Sequence, residues 1–343
     1  MLDPAATRAL GKSGLAVSLL GVGCAPFGRA NADGDPATQS AFDVLYRNGL
    51  RYFDVAPLYG VGLAEHRLGA CLRRVDRRSI VLSTKIGRLL DAQPGDAAAG
   101  AFAGAYPFTF HYDYSYDATL RALEHSLQRL GTNAIDIVLI HDVNERWQGD
   151  RLEERYAEAM NGAYRALRAL RDSGAIKAIG VGVNDWRILE RFARDGDFDC
   201  FMLAGRYTLL DHTALDTFLP DCTRRGIGVL MAAPFNSGIL ATGARPGATF
   251  FYQEAEPEIM ARTQRIEAVC ARHGVAIAAA ALQFPLGHPA VSSVVTGMAS
   301  EAEAAANVAH CRAIIPDAFW DELKHEGLIA AAAPTLPATE DRP

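Results

Sequence analysis

Along this chain, short and nearly unbroken apolar runs alternate with longer stretches in which apolar residues recur every three or four positions. The runs Leu19–Gly23, Tyr52–Asp54, Ile80–Thr84, Ile135–Ile140, Ile176–Val181, Cys200–Leu203, Gly228–Ala232 and Ser293–Thr296 predict strands. Stretches such as IVLST and IDIVLI lack the alternation of a half-wet sheet, as expected of strands covered on both faces. Helical spacing predicts helices over Thr38–Asn48, Leu63–Leu72, Asp117–Leu130, Tyr156–Ser173, Asp185–Arg194, His212–Arg225, Pro257–His273 and Ser300–Cys311. Asp117 is the expected N-cap of its helix, and Gly131 and Gly174 stand where helix C-termini favour glycine. Regular alternation of strand and helix predicts an α/β protein, a closed (β/α)8 TIM barrel. A doubly wound open sheet is the alternative that strand count does not exclude.

Three segments break the alternation. Lys12-Ser13-Gly14 lies between short stretches able to form an N-terminal hairpin that closes the barrel floor. Residues 88–113 and 236–252 are long βα loops, and connections of that length usually carry function. Residues 1–330 are expected to form a single barrel domain, and 331–343 a disordered tail.

Half of the 343 residues are hydrophobic, which supplies a large core. A net charge of −6 and a pI near 5.9 give no electrostatic footprint for nucleic acid. No run approaches the ~20 apolar residues of a membrane span. The chain reads as cytoplasmic, acting on a small-molecule substrate without nucleic-acid or membrane partners, and its oligomeric state is not legible. The six cysteines are scattered singly with no CxxC pair, so free thiols are expected and no metal site.

In a parallel barrel the chemistry gathers where strands end. There the sequence places Asp54 and Tyr59 (DVAPLYG), Lys85 (VLSTKIG), His141 (VLIHDVN) and Asn184 (GVGVND). A tyrosine titrates near ~10, and a neighbouring ammonium favours its anion, so Lys85 is expected to lower Tyr59. Asp54 would hold Lys85, and His141 would hydrogen-bond the reacting oxygen. Such a set moves a proton on or off an alcohol or carbonyl oxygen. The accompanying hydride needs a cofactor, since no side chain supplies one.

DVAPLYG with EHRLG, LSTKIG, DIVLIHD, GAIKAIGVGVND and APFNSGIL follow in an order and spacing that resemble the aldo-keto reductase superfamily. The resemblance runs from Leu19 to about Ala309. It implies Tyr59 as general acid/base, Lys85 as its modulator, Asp54 as the partner of Lys85 and His141 as the carbonyl-orienting residue. It further implies an NAD(P) site: Gly23 and Asp54 beside the nicotinamide, Asn184 on its carboxamide, Phe235, Ser237 and Gly238 along the pyrophosphate, and Gly297, Met298, Glu303 and Asn307 at the adenosine end. GVGVND, AAPFNSGIL and the long segment after His141 resemble the aldose 1-dehydrogenase branch (L-fucose and D-threo-aldose type), with pyridoxal 4-dehydrogenases as neighbours. That branch implies oxidation of a free aldose at C1 to the lactone, a general carbonyl reductase being the further alternative. Trp147, His111, Tyr112, Arg206 and Tyr207 are candidate substrate contacts by position.

Two departures stand out. Ala232 occupies the place of an aromatic that commonly stacks on the nicotinamide, and Ala204 that of a glutamine on its carboxamide. VVTGMASEAEAAANVAH carries no Lys or Arg to bind a 2′-phosphate, while Glu301 and Glu303 would repel one, so NAD is expected over NADP. Gly21-Val22-Gly23 and Gly180-Val181-Gly182 lack the third glycine of a dinucleotide fingerprint. A non-catalytic nicotinamide-binding subunit and a cofactor-free barrel isomerase or lyase are the readings from other classes. The full set of four ionisable residues disfavours the first, and the second would need a phosphate-binding glycine pair after the last two strands.

Overall fold

The computed structural model describes residues 1–29, 34–92, 102 and 105–337. Its strands are β1 (Thr7–Ala9), β2 (Ala16–Ser18), β3 (Leu20–Gly23), β4 (Tyr52–Asp54), β5 (Val81–Ile86), β6 (Arg88–Asp91), β7 (Thr109–Tyr112), β8 (Ile137–His141), β9 (Ala178–Val183), β10 (Cys200–Ala204), β11 (Gly228–Ala232), β12 (Thr249–Phe250), β13 (Gln253–Glu254) and β14 (Val291–Gly297). Parallel pairing runs β3-β4-β5-β8-β9-β10-β11-β14, and β14 returns to β3 through Val294↔Leu20 to Gly297↔Gly23. That last pairing closes the sheet and decides for the barrel against the open sheet.

The principal helices are α1 (Gly34–Arg47), α2 (Leu63–Leu72), α3 (Tyr116–Leu130), α4 (Glu145–Gln148), α5 (Leu152–Glu158), α6 (Tyr164–Asp172), α7 (Trp186–Asp195), α8 (Phe218–Arg225), α9 (Ile239–Thr242), α10 (Pro257–His273), α11 (Ile277–Gln283), α12 (Glu301–Arg312) and α13 (Asp317–His325). Apolar side chains fill two layers. One lies between sheet and helices. The other fills the barrel interior, where Ile137, Leu139, Met202 and Leu230 meet Leu10, Leu15 and Val17. Those last three come from the antiparallel β1–β2 hairpin, so the N-terminus plugs the floor as expected. All six cysteines are free and buried.

Several elements differ from the sequence expectation. Ser115 caps α3, its hydroxyl accepting from the Ala118 N–H, while Asp117 sits within the first turn, where its charge suits the helix dipole. Pro220 lacks an N–H and is tolerated only in a first turn, so α8 begins at Phe218 and not at His212. α5 and α6 form one run interrupted by a π turn at Ala159–Ala163. A Cβ on Gly162 would lie 2.4 Å from the Tyr114 carbonyl, so the helix wall passes very close to that backbone. The tail was expected to be disordered from 331, yet Ala333 and Leu336 are buried in the core and Pro334 packs on Gly287. Apolar side chains at that spacing outweigh the Pro-rich composition. Residues 338–343 lie outside the described residues.

The 88–113 segment is not all loop. β6 and β7 pair antiparallel, with Arg88 opposite Tyr112 and Leu89 opposite His111; residues 93–101, 103 and 104 lie outside the described residues. The hairpin leaves β5 through Gly87, whose φ of +105° and contact with the Tyr114 ring admit no side chain: a Cβ there would fall 2.1 Å from that ring. It therefore stands directly over the ends of β5 and β8.

Candidate active site

The eight strand ends divide the barrel mouth into two arcs. On one, β4 and β8 end in Asp54 and His141, and β5 carries Lys85 one residue before its end at Ile86; β9, ending in Val183, separates the two arcs. On the other, β10, β11, β14 and β3 end in Ala204, Ala232, Gly297 and Gly23. Ionisable groups crowd one half, and side chains nearly vanish from the other.

Lys85 is 1% exposed and would be costly there unpaired. It donates to Asp54 Oδ2 at 2.6 Å and to the Val55 carbonyl at 3.0 Å, while Ser83 donates to Asp54 Oδ1 at 2.7 Å. The ammonium lies 4.8 Å from the centre of the Tyr59 ring. Burial alone would lower Lys85; Asp54 and Tyr59 outweigh it and hold the ammonium charged above its ordinary range. Tyr59 rides on a turn locked by Gly28 and Gly60, whose backbones touch so closely that a Cβ on Gly60 would lie 2.3 Å from the Gly28 carbonyl.

For Tyr59 the outcome differs from the expectation. Burial raises the hydroxyl and Lys85 lowers it, but burial prevails, leaving Tyr59 pushed up to about 12. Tyr59 is therefore a protonated hydroxyl at neutral pH. The His141 ring stands edge-on to it, with centroids 6.3 Å apart. Burial first, then the positive charges of Arg88 and Lys85, push His141 well below its ordinary range, so its ring is neutral. The Tyr114 hydroxyl, donating to the His141 carbonyl at 2.7 Å, fixes the strand end.

The small-residue arc carries most of the residues expected to bind a cofactor. Asn144 donates to Asn184 Oδ1 at 2.8 Å, which leaves the Asn184 amide N–H groups without a protein acceptor among the described residues. A cavity of about 330 Å³ opens there, lined by Asn144, Asn184, Arg206 and Phe251 among others. After β11 the backbone passes through the left-handed region at Ala233, Asn236 and Ser237, then at Gly238. Non-glycine residues held this way concentrate at ligand sites, and such turns present backbone N–H groups to anions. Phe235 is partly buried beside them, and Ser237 Oγ accepts from the Tyr252 N–H at 2.9 Å. Gly23 and Gly297 pair across the seam, forming a shelf of bare backbone with the Pro26 ring packed against Gly297. Met298 departs from its expected place because its side chain is buried in the core, leaving only backbone to a ligand. Asn307 is mostly buried on α12. Exposed Glu303 caps that helix, accepting from the Ala299 N–H at 2.6 Å while its own N–H donates to Ser300 Oγ.

The expected substrate contacts separate. Trp147 is half-exposed over the mouth, 5.4 Å from the Arg88 guanidinium, and Tyr112 faces the same guanidinium. His111 does not join them: strand alternation turns it to the other side of the hairpin, where it pairs with Asp91 at 2.5 Å. Arg206 bonds the Asn184 carbonyl and Asp211 and stacks on Phe251, which makes it a wall of the cavity. Tyr207 is fully buried against Phe284, out of reach of the mouth. Sequence reasoning missed Arg88, Asp142 and Asn144. Only their nearness to Lys85, His141 and the long connections could have marked them.

Residues 19–326 match the model of the aldo/keto reductase family. The chain is 41% identical over 339 residues to a pyridoxal 4-dehydrogenase of Microbacterium luteolum, covering 94% of this chain and 98% of that protein. It is 36% identical to a D-threo-aldose 1-dehydrogenase of a Pseudomonas species, covering 95% and 98%. The holo form of an aldo-keto reductase from Bacillus halodurans shares the fold, with a TM-score of 0.73 over 99% of both chains at 22% identity.

The depressed His141 has a measurable consequence. The unfolded chain takes up a proton near ~6.5 and the folded one does not, so this contribution to stability is present above that pH and lost as pH falls below it. The stability advantage of wild type over His141→Gln is therefore expected to shrink from pH 7 to pH 5, by up to about 1.4 kcal/mol per pH unit. Urea unfolding of both proteins across that range measures it, and a pH-independent difference would contradict a neutral buried ring.

Proposed function

The chain belongs to the aldo/keto reductase family, which makes it a nicotinamide-dependent oxidoreductase of CH–OH or carbonyl groups, and we propose that it oxidises a small cyclic hemiacetal to the corresponding lactone. The carrying observation is the divided mouth. Asp54, Lys85, Tyr59 and His141 meet on one arc, and Asn184, the left-handed loop and the Gly23–Gly297 shelf lie on the other. The bare arc fits an extended dinucleotide: Asn184 would hold its carboxamide, the N–H groups after Ala233 its pyrophosphate, and the shelf before α12 its adenosine end. When bound, the oxidised nicotinamide supplies the hydride acceptor.

The residues of this chain manage the proton. The hemiacetal hydroxyl sits between Tyr59 and His141, its proton leaving for Tyr59 as the hydride leaves the same carbon. The ring oxygen stays in place, so a lactone forms without added water. Lys85 stabilises the tyrosinate that accepts the proton, and Asp54 keeps Lys85 charged and in position. The neutral imidazole donates to the reacting oxygen and orients it. In the reverse direction the Tyr59 hydroxyl, protonated at neutral pH, is the acid. Oxidation is therefore favoured by alkaline pH and carbonyl reduction by neutral pH.

The first substrate reading is a free aldose in its pyranose form, of L-fucose, D-arabinose or L-galactose type. The second is pyridoxal, whose aldehyde closes on its own hydroxymethyl group, and the 41% identical relative favours it. Trp147, half-exposed over the mouth, offers an aromatic surface suited to either. NAD is proposed over NADP: no Lys or Arg occurs in residues 294–310, and the carboxylate of Glu303 stays at the mouth although it caps α12.

Initial rates with these sugars and pyridoxal, each with NAD⁺ and NADP⁺, test the proposal. Lactone should form from at least one hemiacetal, with kcat/KM for NAD⁺ higher by about tenfold or more, a difference of ~1.4 kcal/mol. Absence of turnover on every hemiacetal would overturn the substrate class, and equal efficiency at low ionic strength the cofactor preference. Tyr59→Phe should lower kcat by about 10²–10⁴-fold with NAD⁺ affinity kept within a few-fold. Retained turnover would remove Tyr59 from the mechanism.

A further inference from the structure

We propose that Arg88 is a positioning residue that locks His141 in the tautomer able to donate to the reacting oxygen, and that the β6–β7 hairpin exists over the mouth partly to deliver it. The inference rests on the role proposed above for His141, but the tautomer itself follows from hydrogen-bond chemistry. Arg88 Nη1 lies 3.1 Å from His141 Nδ1. A guanidinium has five donors and no acceptor, so the shared proton belongs to arginine and Nδ1 must be the accepting nitrogen. The single ring proton of a neutral imidazole is then on Nε2.

The second amino group of the guanidinium is equally committed. Nη2 donates to Asp142 Oδ2 at 2.8 Å and to the Tyr112 hydroxyl at 2.8 Å, and the group lies under the Tyr112 and Trp147 rings. Asp142 adopts φ +56°, unusual for a residue with a side chain, and Gln148 pins its carbonyl at 2.9 Å. This turn brings the carboxylate back over the mouth, 3.4 Å from His141 Nε2. Without Arg88, that carboxylate would draw a second proton onto the ring. With it, the carboxylate is already satisfied. A side chain that served only packing would not need to be an arginine, which here is 2% exposed and leaves its Nε without a partner.

The groups around His141 are Tyr59 from the β4 loop, Asp54 from β4, Lys85 from β5, Arg88 from β6, Tyr112 from β7, Tyr114 before α3, and Asp142 after β8. They form two ion pairs, Asp54–Lys85 and Asp142–Arg88, with the ring between the two cations. That balance favours a neutral imidazole, and burial acts in the same direction. Arg88→Lys keeps the charge but not the fork. A single ammonium cannot hold Nδ1, Asp142 and Tyr112 together.

The decisive experiment is nitrogen NMR of the full chain labelled with ¹⁵N-histidine, His141 being assigned by its loss in His141→Gln. In wild type, Nδ1 should carry the signature of an unprotonated acceptor and Nε2 that of an N–H, both constant from pH 5 to 8. A proton on Nδ1, or a titration in that range, overturns the proposal whatever the substrate is. In Arg88→Met and Arg88→Lys, His141 should titrate within that range or show mixed tautomers, and kcat should fall by about 10–100-fold with a smaller change in KM. Folded variants in which the His141 signals and the kcat–pH profile match wild type would also overturn it. Because the NMR readout needs no substrate, failure of the hemiacetal reading is told apart from failure of this one.

Discussion

The structure of the mouth depends on one buried ion pair. Lys85 can stand inside the rim of an apolar barrel only because Asp54 and the Val55 carbonyl accept its hydrogen bonds. Asp54 in turn is held by Ser83 from the strand that carries Lys85. The two strands are hydrogen-bonded neighbours, with Asp54 opposite Ser83, so the register of the sheet itself sets the pair. Tyr59 lies against this ammonium and is the group whose proton it governs. The balance is close to a contest between burial, which keeps the phenol protonated, and Lys85, which favours its anion. A family enzyme that runs in either direction uses both sides of that contest: the acid form for reduction, the base form for oxidation.

A second ion pair, Arg88–Asp142, lies on the other side of His141. The imidazole is thus placed between two cations and two anions, in a region where little water can screen them. Such an arrangement holds a neutral donor steady across the working pH range. The opposite arc, with alanines and glycines at four strand ends, has small residues where the proposed dinucleotide would need room. Functional division of the rim therefore follows from residue size on one half and charge on the other.

Much of this was legible in the sequence. Unalternating apolar runs such as IDIVLI gave strands buried on both faces, and reading where those runs end gave Asp54, Lys85, His141 and Asn184. What was not legible depended on geometry without a local pattern. β6 and β7 pair across a long insertion, so nothing in Arg88 or Tyr112 alone indicated that they face each other. His111 and Tyr112 are adjacent in sequence and opposite in direction, which only the strand register decides. Tyr207 looked available because it follows a strand end, but its ring is buried against Phe284. The fall of Tyr59 expected from Lys85 was reversed because a sequence shows which charges are near but not how far a group is buried.

The central claim is that Lys85, held by Asp54, sets the proton affinity of Tyr59. It is tested most directly by the pH dependence of kcat for oxidation in wild type and in Lys85→Met, with cofactor saturating. The account predicts that the ionisation governing the rise of kcat moves to higher pH by about one unit or more in the variant, with a lower rate at neutral pH. An unshifted profile with an undiminished rate would contradict it.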